Sequence, residues 1–212
     1  MGYNSNIKQI AISHDKEVAK SKEVTRMKVT DKTNTIVMTA MMMCLILITT
    51  YTFKIPTPFQ GYVHLGDAMI FLAVLVVGKK NGAIAAAFGS ALADLLGGYV
   101  AFAPWTFVIK GLMALVMGLF IDYMVKRSKK TVKIAGVPLI EIIGMIIAGI
   151  VMVLGYGVAD AVLAGNIMTG ILSMPANCGQ FAAGVIIASI LAAALYKTPA
   201  KRYFTYRLDE VK

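Results

Sequence analysis

Long apolar runs separated by short polar segments organise this chain, and their lengths predict its architecture. Hydrophobic stretches cover residues 35–53, 61–78, 81–102, 104–125, 137–161 and 169–196. Each is close to the roughly 20 residues that a helix rising 1.5 Å per residue needs to cross a bilayer. The pattern predicts an all-α integral membrane protein: a compact bundle of six transmembrane helices over residues 35–196. Residues 1–34 read as a polar, mobile cytosolic tail and 197–212 as a basic cytosolic C-terminal tail. Pro56 and Pro58 between the first two stretches forbid one continuous helix there. The short connection Gly78-Lys79-Lys80-Asn81-Gly82 predicts an antiparallel hairpin of the second and third spans.

Polar residues inside these runs are the exceptions that point to chemistry. Asp67, Asp94 and Lys110 interrupt three successive spans, and charge in hydrocarbon is costly unless it is paired or solvated in a cavity. With the termini inside, helical rise puts them about 9, 12 and 9 Å below the outer edge. Asn177 and Gln180, just after Pro175, come within a turn or two of that level. Five polar groups on four helices predict a shared cavity open to the outer side. A buried Asp–Lys clamp that fixes helix register and binds nothing is the competing reading. Tyr62, His64, Tyr99 and Trp105 stand near the same level, either as an interfacial aromatic belt or as faces for a planar ligand. Asp122, Glu141 and Asp160, near span ends, read as snorkelling residues.

Charge refines the orientation. The chain carries 21 Lys and Arg against 11 Asp and Glu, with 58% hydrophobic residues and a mean hydropathy of +0.73. Lys54 falls in an opposite-side loop and Lys110 within a span; all the other basic residues fall on one side of the six-span topology. The positive-inside rule then makes both termini cytoplasmic. Such a distribution explains the basic excess as topology, and no basic stripe with interleaved aromatics suggests nucleic acid. Cys44 and Cys178 lie within spans and read as small packing residues, with no metal site from two thiols. Residues 1–34 come before any hydrophobic stretch, so the first span is expected to stay in the mature protein.

Several functions lose support. Gly78-Lys79-Lys80 lacks both the glycine spacing and the following Ser or Thr of a phosphate loop, so no ATPase site is expected. Leu65-Gly66-Asp67 lacks the first glycine of an intramembrane aspartyl protease, and Lys110 at the same depth disfavours a proton shared between two carboxylates. An enzyme is not expected. An autonomous ion-coupled carrier and a scaffold for membrane assembly stay open, the second because the span over 81–102 is rich in Ala and Gly.

The segments Gly61-Tyr62-Val63-His64-Leu65-Gly66-Asp67-Ala68, Gly89-Ser90-Ala91-Leu92-Ala93-Asp94-Leu95-Leu96-Gly97-Gly98-Tyr99, Ala103-Pro104-Trp105-Thr106-Phe107-Val108-Ile109-Lys110-Gly111 and Pro175-Ala176-Asn177-Cys178-Gly179-Gln180, in this order, resemble the substrate-binding S components of energy-coupling factor (ECF) vitamin transporters. The resemblance spans about 35–196. It implies high-affinity binding of a vitamin or precursor from outside, in a bacterial cell membrane, with delivery by a transmembrane coupling protein and two cytosolic ATPase subunits that use ATP. No cofactor or metal is implied for the chain itself. The family's small-residue coupling pair maps to Ala40 and Cys44, and the proline loop over 54–60 to a gate. Within the family the chain looks most like members assigned to hydroxymethylpyrimidine or vitamin B6 compounds, with riboflavin or another vitamin as the alternative. The candidate substrate-binding residues, read from their depth and chemistry, are Asp67, Asp94, Lys110, Asn177, Gln180, Trp105, Tyr99, His64 and Tyr62.

Overall fold

The computed structural model describes residues 32–56, 62–127 and 132–206. The chain divides into two units, residues 1–38 and 39–212. Helix α1 (Lys32–Thr52) begins in the first, and everything below concerns the second. Residues 1–31 and 207–212 of the tails expected over 1–34 and 197–212, and Pro58 of the loop, lie outside the described residues.

After α1 come strands β1 (Lys54–Pro56) and β2 (Tyr62–His64), helices α2 (Gly66–Leu96) and α3 (Ala103–Arg127), strands β3 (Lys133–Ile134) and β4 (Val137–Pro138), helices α4 (Leu139–Ala164) and α5 (Ile167–Tyr196), and the 3-10 turn Pro199–Tyr203. Helix α2 packs on α3 and α5, and α4 on the same two, so the four close into a ring. Two short antiparallel ladders, β1–β2 and β3–β4, add strand pairs that the apolar pattern did not predict.

Among the described residues five helices, not six, are long and apolar enough to cross a bilayer. The second and third expected spans form one element, α2, broken at Gly78 (φ 76°, ψ 176°). That backbone is open to glycine and strained for other residues. The chain doubles back there. A Cβ built on Gly82 would lie 2.9 Å from Cα of Val74, whereas eight residues of unbroken helix separate such positions by about 12 Å. The arm before the break is short because Tyr62–His64 is strand. Its dozen residues reach about 18 Å, less than the roughly 30 Å of bilayer hydrocarbon.

A helix that stops leaves carbonyls without amide partners. Here the chain's far end supplies them: the backbone N–H of Thr205 donates to the Leu75 carbonyl and its hydroxyl to the Val76 carbonyl, both at 2.8 Å. Phe204, buried, packs on Tyr196 with ring centroids 4.5 Å apart. Beside the break, Lys79 pairs with Asp122 at 2.5 Å, each about one-third exposed. The α4–α5 connection is equally local. Gly165 adopts the left-handed region (φ 63°) to end α4, and the Asn166 side chain accepts the Met168 N–H at 2.9 Å to start α5.

Burial corrects three expectations. Glu141 does not snorkel: it is fully buried and accepts a 2.6 Å bond from the Tyr196 hydroxyl. Asp160 is buried as well. Cys44 and Cys178 are exposed on helix faces rather than packed inside. The reason is shared. Depth along a helix is readable from sequence, whereas the face a residue presents depends on which neighbours pack where.

Candidate functional site

The sequence brings a strand directly into a helix at His64-Leu65-Gly66-Asp67, and the site is built around that junction. His64 is the last residue of β2, paired across the ladder with Lys54 of β1. Its ring turns back so that Nδ1 accepts the Gly66 N–H at 3.0 Å, satisfying a donor that the start of α2 leaves without a helical partner. A nitrogen that accepts this bond carries no proton, so His64 is neutral with its proton on Nε2.

In the first turn of α2, Asp67 is completely buried beside equally buried Lys110 of α3. The Lys110 Nζ donates to Asp67 Oδ1 at 2.5 Å, and it lies 5.1 Å from the Tyr156 ring centroid. The Tyr156 hydroxyl shares a 2.9 Å bond with Thr106, one helical turn before Lys110. The other carboxylate oxygen of Asp67 accepts from Gln180 Nε2 on α5 at 2.8 Å. Gln180 Oε1 in turn accepts the backbone N–H of His64 at 3.0 Å. Asp67 thus receives an ammonium and an amide donor on its two oxygens, the compensation that lets a carboxylate stay ionised without water. Helix α5 comes this close because Gly184 faces α2: a Cβ there would sit 2.9 Å from Cβ of Asp67.

Next to this network lies a cavity of about 580 Å³. Thr52, Phe53, Lys54 and Ile55 form one wall, His64 and Leu65 a second, and Ala176, Gly179, Gln180 and Ala183 of α5 a third. Its lining is mainly apolar with a few polar groups, and its volume falls within the roughly 300–1,000 Å³ of small-molecule sites.

Of the expected site residues, His64 and Gln180 line this cavity. Asp67 and Lys110 stand behind them, joined to Gln180. Asp94 is buried in the second arm of α2, Trp105 and Tyr99 are half-buried, and Asn177 is buried with its side chain bonded to the Ser173 carbonyl at 3.3 Å. None of these four is among the lining residues. Tyr62 is placed only by its backbone, paired with Pro56. Sequence reasoning included Lys54 and Ile55 only as part of a gate over 54–60, and it missed Thr52, Phe53 and the small residues Ala176, Gly179 and Ala183 as lining residues. Their spacing of three and four positions beside Gln180 puts them on one helical face and was the available signal.

The pattern of the ECF-type riboflavin transporter S component family matches residues 30–197. The chain belongs to this family. As an ECF S component it is a membrane-spanning part of a vitamin transporter and not itself an enzyme. The matching family is described by riboflavin, and the hydroxymethylpyrimidine or vitamin B6 subtype is not confirmed. A solved structure described as "Structure and mechanism of the S component of a bacterial ECF transporter" superposes with a TM-score of 0.59 at 21% identity, over 78% of this chain and 97% of that one. That likeness establishes the S-component fold. An "Uncharacterized protein in gap 3'region" of Pyrococcus woesei is 39% identical over 112 residues, 52% of this chain and 68% of the relative.

Proposed function

We propose that this S component captures riboflavin or a closely related flavin in the 580 Å³ cavity beside His64 and Gln180. The observation that carries this reading is the size and lining of the cavity. A single pyrimidine or pyridine ring would leave much of that volume unfilled, whereas three fused rings with a polyhydroxyl chain suit a mainly apolar lining with a few polar groups. Phe53, Ile55 and Leu65 offer apolar contact, and Lys54, Thr52 and Gln180 offer hydrogen-bonding groups. The riboflavin family match agrees with the same ligand class.

In this reading the two antiparallel arms of α2 count as two passes in opposite directions, so that both termini are cytoplasmic, as the one-sided Lys and Arg distribution favours. The cavity then opens outward, at the end of α2 away from Gly78. Delivery across a bacterial plasma membrane is driven by a transmembrane coupling protein and two cytosolic ATPases, since the sequence has no phosphate loop of its own. Ala40 and Cys44, exposed one helical turn apart on α1, provide a small-residue face for that coupling protein.

Titration of the purified protein with riboflavin, followed by quenching of flavin fluorescence, tests the proposal, with hydroxymethylpyrimidine and pyridoxine as competitors. Saturable quenching that neither competitor relieves is the expected result. Tight binding of a single-ring compound with no response to riboflavin would overturn it.

A further inference from the structure

We infer that Gln180 is a latch that seats the β1–β2 ladder against α5, and that the buried Asp67–Lys110 pair is the positioning element that keeps its amide in the one orientation able to do so. The inference deepens the reading of the cavity as a ligand site, because β1 supplies Lys54 and Ile55 to the wall that this latch holds.

A primary amide is a donor at one end and an acceptor at the other. Gln180 must present its oxygen toward β2, since the His64 backbone offers an N–H at 3.0 Å. That bond alone favours this orientation by a single hydrogen bond. The opposite end decides. Asp67 Oδ2, 2.8 Å from Gln180 Nε2, belongs to a carboxylate, which accepts only. A reversed amide would put two oxygens face to face there and two donors face to face at His64. Asp67 remains acceptor-only because Lys110 supplies positive charge at 2.5 Å in a site closed to water. Four elements are therefore linked in series: α3 fixes the charge of a residue on α2, which fixes the polarity of an amide on α5, which fixes the position of β2.

Neither Asp67 nor Lys110 lines the cavity, yet both govern its wall. The same logic explains why the pair is ionic. A hydrophobic pair of similar volume would fill the space but leave the Gln180 NH₂ without its acceptor, so that the His64 N–H alone would orient the amide.

A reciprocal exchange of amide and carboxylate tests this. Asp67→Asn alone lets Lys110 take the oxygen of the new amide, whose NH₂ then faces Gln180 and turns the Gln180 NH₂ onto the His64 N–H. Gln180→Glu alone sets two carboxylates together. The double variant Asp67→Asn/Gln180→Glu restores every donor–acceptor match. Lys110 then donates to the oxygen of the amide at position 67, that amide's NH₂ donates to one oxygen of the carboxylate at position 180, and the His64 N–H donates to the other. Hydrogen exchange of the His64 backbone amide in the full-length, ligand-free protein in nanodiscs is the readout. Each single change is expected to speed this exchange by roughly tenfold or more, and the double variant to return it to near the wild-type rate. Wild-type exchange in both singles would overturn the latch. So would a double variant no better protected than the worse single; if a single variant fails to fold, recovery of folding and protection in the double decides. Riboflavin binding by the wild type is measured alongside. Exchange that follows the pattern without any flavin binding supports the latch and removes the flavin reading, whereas flavin binding with unresponsive exchange does the reverse.

Discussion

The side-chain oxygen of Gln180 accepts the backbone N–H of His64 at 3.0 Å, although the two residues lie 116 positions apart in the chain. Through this bond the last transmembrane helix holds the strand that leads into α2, and both residues face the same cavity. The remaining features of the site follow from what keeps that bond in place.

Lys110 is the most sensitive position of the network. Lys110→Met leaves the Asp67 carboxylate buried with one amide donor and no cation, at a cost of about 3–5 kcal/mol. Chemical or thermal unfolding in detergent reads this. Lys110→Met combined with Asp67→Leu should recover much of the lost stability, because no charge then remains unpaired. A double variant as unstable as the single would show that the pair is not energetically coupled.

Gly179 tests the cavity without touching its frame. A Cβ added there meets nothing within 4 Å, so Gly179→Leu projects its side chain into open volume. Ligand affinity should fall by at least about tenfold, since an apolar side chain would occupy ligand space at about 1.4 kcal/mol per decade. Stability should be unchanged or about 0.5–1 kcal/mol higher, because glycine is the poorer helix residue. Flavin titration and unfolding measured together check it; unaltered affinity would move the site elsewhere.

Thr205 tests the far end. Thr205→Val removes the hydroxyl bond to the Val76 carbonyl and leaves the backbone bond to Leu75. The expected loss is about 1 kcal/mol, with ligand binding unaffected because the cavity lies at the other end of α2's first arm. A shortened chain ending at residue 198 loses both bonds and the Phe204–Tyr196 contact, and should be less stable still. Equal stability of all three proteins in unfolding experiments would exclude a structural role for this segment.

Ala40 separates binding from coupling. The residue is exposed on α1 and absent from the cavity lining. Ala40→Leu should leave flavin affinity at the wild-type value while lowering co-purification with a coupling protein and flavin uptake by at least about tenfold, since a bulky side chain prevents close helix approach. Normal uptake by this variant would place the coupling surface elsewhere.

Sequence alone determined the membrane class, most of the apolar helices, and the anomaly of Asp67 and Lys110 lying inside them. Each rests on local information: hydropathy is a property of a window of about 20 residues, and a charge inside such a window is anomalous wherever the helix lies. Tertiary structure decided the rest. It turned two expected spans into one element broken at Gly78, with a short first arm because the start of the apolar window pairs with β1 instead of joining the helix. Between the two readings left open, a shared cavity and a buried Asp–Lys clamp, it placed Asp67 and Lys110 as an ion pair standing behind Gln180, and it put the segment 52–55 and the small residues of α5 around the cavity. Depth in the membrane follows from counting residues. Which face meets which neighbour, and which donor finds which acceptor, is fixed only when helices far apart in sequence pack together.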